Sequence, residues 1–171
     1  NRIDGKKMGK WVTLSEAIGD LPTVVPALPK NKANTYTQLP NHEYMTGGFS
    51  TIYLSRNRRK EWGNQSFTIQ AGGRHAPLHP SSSKMQKVST DKWVFDDADN
   101  VRRMSVRECA RIQTFPDEFI FHYKNVSDGY KMIGNAVPVK LAEAIASKIM
   151  NDISEIKTNK VEKGLTAKSK K

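Results

Sequence analysis

The sequence predicts an α+β chain, in which a small, irregular, mostly-β module is followed by a helical segment. Three observations carry that reading. Residues 21–40 hold four prolines (Pro22, Pro26, Pro29 and Pro40), a composition that blocks long helices and ladder-forming strands alike. Residues 41–80 contain the β-prone runs 50–54 and 66–69, separated by a long polar loop. From Ser105 onward helix signals take over, first a capping pair and then an apolar stripe at helical spacing.

In chain order, residues 1–10 are polar and lysine-rich and read as a linker. Thr13 and Glu16 stand at capping-box spacing, with Leu14, Ala17 and Ile18 apolar and Gly19 as the stop, so a short helix is expected. Residues 21–40 read as a linker over a surface. Short strands joined by long loops place function on the loops of residues 41–80. Residues 81–100 are polar, with one lone strand candidate at Trp93-Val94-Phe95 and a solvated acidic turn at Asp96-Asp97-Ala98-Asp99.

Ser105 and Glu108 repeat the capping-box spacing. The helix that follows puts Val106, Cys109, Ala110 and Gln113 on one face, projects Arg107 and Arg111 from another, and stops at Pro116. After an aromatic run to Tyr123, Pro138 sits at a favourable helix start. Leu141, Ala142, Ile145, Ala146, Ile149, Met150 and Ile153 then form a stripe expected to pack inward. Six lysines and one glutamate from Lys157 onward mark residues 154–171 as a basic, flexible tail.

The formal net charge of +11 favours an anionic partner, with nucleic acid first. Its informative part is the cluster Arg56, Arg58, Arg59, Lys60 and Arg74, interleaved with Tyr53, Trp62 and Phe67. An apolar content of 37% is low for a self-contained core, which suggests that another chain or segment supplies part of the buried surface. One cysteine excludes an internal disulfide and fits a reducing compartment. No apolar run is long enough for a membrane span and no charged-then-apolar leader is present, so a soluble, cytoplasmic, prokaryotic protein is expected. The chain begins at Asn1, compatible with a processed start or an excised fragment. His75 and His79 stand four apart, but Pro77 and Pro80 break any helix that would align them, so no metal is expected.

The run Arg102-Arg103-Met104-Ser105-Val106-Arg107-Glu108-Cys109-Ala110-Arg111-Ile112-Gln113-Thr114-Phe115-Pro116-Asp117-Glu118-Phe119 resembles the ninth conserved motif of the DNA cytosine-5 methyltransferases. Gly134-Asn135-Ala136-Val137-Pro138 resembles their tenth. More narrowly, Tyr53-Leu54-Ser55-Arg56-Asn57-Arg58, Phe67-Thr68-Ile69-Gln70-Ala71-Gly72-Gly73-Arg74 and Phe119-Ile120-Phe121-His122-Tyr123 are similar to the HaeIII-type enzymes, which modify GGCC. The resemblance runs from Thr13 to Ile149. It implies that residues 1–20 lead out of a catalytic domain and that residues 21–100 are a target-recognition domain. Residues 101–153 would then return to complete the α/β S-adenosylmethionine-dependent domain of a partner.

The family's nucleophilic Pro-Cys pair, its Glu-Asn-Val acid and its glycine-rich cofactor turn are missing here, so no catalytic residue is assigned. Cys109, after Glu108 on a helix face, reads as a core residue. Recognition remains. An arginine guanidinium matches the N7 and O6 of guanine, which suits Arg56, Arg58 and Arg74 to a G·C-rich site, and Gln70 and His75 add base-edge or phosphate bonds. Taking cytosine out of the stack favours an apolar wedge, with Ile52 the candidate and a strand-core residue the plainer alternative. Gly72 and Gly73 would let backbone approach the DNA, or form a plain turn. By resemblance, Gly134, Asn135 and Ala136 close over the methionine end of S-adenosylmethionine, mostly bound by the partner.

The expected function is therefore the DNA-recognition subunit or portion of a DNA (cytosine-5-)-methyltransferase of a restriction-modification system. Its partners are double-stranded DNA and a catalytic subunit that carries the cysteine. A stand-alone sequence-specific DNA-binding protein is the alternative, and a basic RNA-binding module a weaker third.

Overall fold

A computed structural model describes the backbone of residues 2–3, 6–7 and 10–168 and the side chains of residues 10–156. Residues 1–136 form one compact unit and residues 137–171 a second.

The first unit opens with two-residue strands β1 (Arg2–Ile3) and β2 (Lys6–Lys7), paired antiparallel. Helix α1 (Leu14–Ile18) starts as its capping residues require. Thr13 Oγ1 accepts the Glu16 N–H at 3.2 Å, and the Thr13 N–H donates to Glu16 Oε2 at 2.8 Å. The proline-rich stretch is not free of strands: β3 (Val25–Pro26) pairs in parallel with β4 (Glu43–Tyr44). Pro26 is tolerated because the ladder is only two residues long.

Neither β-prone run forms a strand. Residues Tyr53–Ser55 make a 3-10 turn, and residues 66–69 run without a ladder partner. Tertiary contacts override strand propensity here, because Tyr53 is fully buried and its hydroxyl donates to Ala76 O at 2.9 Å. The strand expected at 93–95 does exist, as β6 (Lys92–Phe95), but it is not alone. It forms an antiparallel hairpin with β5 (Met85–Ser89), turned by Asp91 at φ 52°.

Helix α2 (Val106–Ile112) carries the second capping box. Ser105 Oγ accepts the Glu108 N–H at 3.0 Å, and the Ser105 N–H donates to Glu108 Oε2 at 2.7 Å. It ends before Pro116, with Thr114 left-handed at φ 61°. Helix α3 (Val126–Asn135) was not foreseen, because it passes through Gly129 and Gly134, both poor helix formers. Gly129 is needed there: a Cβ would lie 2.6 Å from the Tyr123 ring.

Two cores result. Leu14, Ile18, Ile69, Met104, Val106, Cys109, Ala110, Val126, Tyr130 and Ile133 fill the larger, so α1, α2, α3 and the segment around Ile69 bury one another. Tyr53, Leu78 and Met85 fill the smaller. Each fully buried aliphatic side chain contributes about 1.5–3 kcal/mol over its exposed state.

Arg107 does not project from α2 as its spacing suggested. It is fully buried, donating to the carbonyls of Pro40 (2.9 Å), Pro116 (3.1 Å) and Phe119 (2.8 Å). Arg103, 4% exposed, holds the carbonyls of Gly47 (3.1 Å) and Gly48 (2.9 Å). Of Arg103, Arg107 and Arg111, it is Arg111 that forms ion pairs among the described residues, with Asp20 at 2.8 Å and Asp117 at 2.6 Å.

The second unit is helix α4 (Val139–Lys168), entered directly after Pro138, whose carbonyl accepts the Ala142 N–H at 3.0 Å. The helix continues past residue 153 to Lys168, so residues 154–168 carry helical backbone. Leu141, Ile145, Ile149, Met150 and Ile153 along it are between 42% and 62% exposed in this chain. No described helix is long and apolar enough to cross a membrane.

Candidate nucleic-acid interface

The recognition candidates converge on the chain that leaves the small core and returns to the large one. Burial of Tyr53 fixes the 3-10 turn and leaves Ile52, at its N-terminal side, 69% exposed. From there the chain runs extended through Arg56, which is exposed, to Arg58, which is not. Arg58 is 6% exposed; its Nε donates to Tyr53 O at 3.1 Å and its Nη2 to Ile52 O at 3.3 Å. Burial, then the neighbouring Arg56 charge, lowers its affinity for a proton. Part of the Arg58 guanidinium is thus committed within the chain.

A cleft of about 150 Å³ gathers Arg56, Arg58, Gln70 and His75, with Phe67 and Thr68. Lys60 Nζ lies 4.6 Å from the Phe67 ring centroid. Four sequence candidates therefore meet at one place. Arg74 lies elsewhere, exposed, on a second cleft of about 260 Å³ that it shares with Arg103, Gly47 and Gly48. Ile52 lines neither. Thr68 was missed because a hydroxyl in an apparent strand carries no signal of its own. Arg103 was missed as the anchor of the Gly47-Gly48 turn, since nothing in sequence links residues so far apart.

The two glycines of the recognition turn differ. Gly73 is buried under Met45 and Tyr130, whose atoms would meet a Cβ at 2.6 and 2.8 Å, so its close approach is to its own chain and not to a duplex. Gly72 is extended at φ 176° with open space around it, which any residue could occupy.

Gly134 and Asn135 form the last turn of α3, and Ala136 caps it. A Cβ on Gly134 would lie 2.4 Å from Ala71 N and 2.4 Å from Gln70 C. The space its missing side chain leaves is thus filled by the Gln70–Ala71 backbone and is no cradle for a ligand. Asn135 is exposed and Ala136 half-buried.

Behind these surfaces lies a buried polar network. Glu108, besides capping α2, accepts Arg102 Nη1 and Nη2, both at 2.8 Å, and lies 3.6 Å from His79 Nε2. Burial opposes its charge, but Arg102 outweighs burial and holds the carboxyl below its usual range. Burial pushes the His79 imidazole down to about 4, so it is neutral at pH 7. Cys109 is fully buried and its thiol is pushed well up by burial, which suppresses the nucleophilic thiolate. Among the described residues no group of three His, Cys, Asp or Glu could hold a metal.

The chain is similar to several type II methyltransferases. The type II methyltransferase M.MthTI of Methanothermobacter thermautotrophicus is 61% identical over 154 residues, which cover 88% of this chain and 47% of that protein. M.NgoPII of Neisseria gonorrhoeae is 52% identical, covering 81% of this chain and 41% of its own. M.BsuRI of Bacillus subtilis is 48% identical over 81% of this chain and 30% of its own length. The chain thus spans less than half the length of these curated relatives. Residues 4–151 match the family described as C-5 cytosine-specific DNA methylase, and the chain belongs to it.

Proposed function

We propose that this chain is the target-recognition portion or subunit of a DNA (cytosine-5-)-methyltransferase of a restriction-modification system, and that it selects a GGCC-containing site. The cleft that brings Arg56, Arg58, Gln70 and His75 together carries the reading. Guanidinium groups with a neighbouring amide and imidazole offer donors to guanine N7 and O6 and to phosphate. The exposed Ile52 enters the opened duplex and offsets part of the cost of extruding the cytosine.

The reacting thiolate belongs to protein outside these residues. Cys109 is the chain's sole cysteine, and its burial at the centre of the larger core supports that assignment. S-adenosylmethionine supplies the methyl group when bound. Asn135 and Ala136 are the residues of this chain that would touch it, while Gly134 serves the recognition turn. The partner is the catalytic portion that carries the nucleophile.

The test is methyl transfer from labelled S-adenosylmethionine to a GGCC duplex. No transfer is expected with the chain alone, and transfer is expected on mixing with the catalytic portion of a relative such as M.MthTI. Transfer by the chain alone would overturn the assignment of the nucleophile, and equal transfer to a duplex with a scrambled site would overturn GGCC selection. A second reading, a stand-alone DNA-binding protein, draws on the same cleft being complete within this chain. Tight GGCC binding with no gain in methylation on mixing would favour it.

A further inference from the structure

We infer that Arg58 is a positioning residue for Ile52, clamping the backbone beneath the apolar side chain that enters DNA. This rests on the recognition role proposed above. The side chain of Ile52 is 69% exposed, yet its carbonyl is heavily engaged. That oxygen accepts the Ser55 hydroxyl at 2.8 Å, the Ser55 N–H at 3.4 Å and Arg58 Nη2 at 3.3 Å. Arg58 Nε takes the next carbonyl, Tyr53 O, at 3.1 Å. One planar fork thus grips two successive carbonyls and fixes the peptide between them, which a lysine ammonium on a flexible stem would not do. Tyr53 is itself fixed, fully buried and bonded through its hydroxyl to Ala76 O.

The consequence is an exposed isoleucine on a backbone with little freedom. An apolar group held ready in this way surrenders less conformational entropy on insertion than one on a loose loop. Arg58 also lines the cleft with Arg56, Gln70 and His75. Its guanidinium cannot swing toward a base without releasing the Ile52 carbonyl, so base contact and wedge presentation depend on a single group.

The test uses the 171-residue chain as wild type, Arg58→Lys, Arg56→Lys, Ile52→Ala and Ser55→Ala. In the free protein the Ser55 amide, which donates to Ile52 O, is expected to exchange with solvent roughly tenfold faster in Arg58→Lys, as loss of a net hydrogen bond implies. It should be unchanged in Arg56→Lys, with the Glu108 amide as a control for folding. Bound at saturation to a GGCC duplex carrying 2-aminopurine beside the target cytosine, the wild type should raise fluorescence. Ile52→Ala should abolish that rise, and Arg58→Lys should cut it severalfold.

A lost rise with unchanged Ser55 exchange would mean that Arg58 acts on bases alone, and would overturn the inference. So would a full rise in Arg58→Lys. Should the Glu108 amide show that Arg58→Lys loosens the whole chain, Ser55→Ala removes another donor from the same carbonyl. It must then lower the rise, and an undiminished rise overturns the inference. A wild type that binds without any rise, or an Ile52→Ala chain that keeps it, removes the wedge and this inference with it. Target recognition would still stand on the binding itself.

Discussion

Arg107 and Arg74 have the same side chain and opposite fates, and the contrast shows how this irregular fold is held. Arg107 lies at the centre of the first unit, where three backbone carbonyls from two loops converge on its guanidinium. Arg74 stands exposed on a cleft. A chain with few strands leaves many carbonyls without ladder partners, and buried carbonyls need donors. Guanidinium suits that task because it carries five N–H groups in a fixed fork and is weakly hydrated. Arg103 belongs with Arg107. Its Nε has no hydrogen-bond partner among the described residues, and its guanidinium lies 4.2 Å from the Phe49 ring centroid. Arg58 stands between the two kinds, buried like one and facing a cleft like the other.

The contrast breaks most directly at Arg107. Arg107→Ala should cost at least about 3 kcal/mol, because it leaves buried carbonyls unpaired and opens a cavity. A denaturant midpoint close to wild type would mean that the scaffold does not depend on it. Gly134→Ala comes next. Its Cβ collides with the backbone of Gln70 and Ala71, so about 1–3 kcal/mol should be lost and binding to a GGCC duplex should weaken. Undisturbed stability and binding would show that the recognition turn does not lean on α3.

Acidification probes the scaffold alone. His79, near 4, stays neutral in the folded chain over most of the range above that value while its unfolded counterpart takes up a proton below about 6.5, and burial lowers His42 in the same sense. Unfolding therefore binds protons, and stability should fall by about 1–2 kcal/mol as pH drops from 6.5 to 4. Glu43, pushed up by burial, works against this. His79→Gln should flatten the slope of urea midpoint against pH, and a slope unchanged by that substitution would remove His79 as its source. Arg74→Ala sits at the far end. It should change stability by less than about 0.5 kcal/mol, while the slope of log affinity against log salt should drop by about one. A large stability loss would place Arg74 with Arg107.

What the residues revealed in advance was local chemistry. Both capping boxes formed as spaced, since Thr13 with Glu16 and Ser105 with Glu108 need only one turn of chain to meet. The strand at 93–95 was visible as a short run of aromatic and β-branched residues, but its partner at Met85–Ser89 was not, because Met85 is its one buried residue. Three things stayed hidden for a single reason, that contacts distant in sequence decide them. The run 50–54 became a turn because Tyr53 reaches Ala76, and Arg107 was drawn inward by carbonyls at Pro40 and Phe119. The glycines of α3 are explained only by Tyr123, Gln70 and Ala71. That Arg56, Gln70 and His75 line one cleft could not be read from the sequence.

Gly134 also changes how a signature is to be interpreted. As long as the Gln70–Ala71 backbone lies against α3, this position needs glycine whether or not a methyl donor is handled, since a Cβ would meet that backbone at 2.4 Å. In this chain Gly134 is therefore explained by how α3 packs, before any ligand is considered.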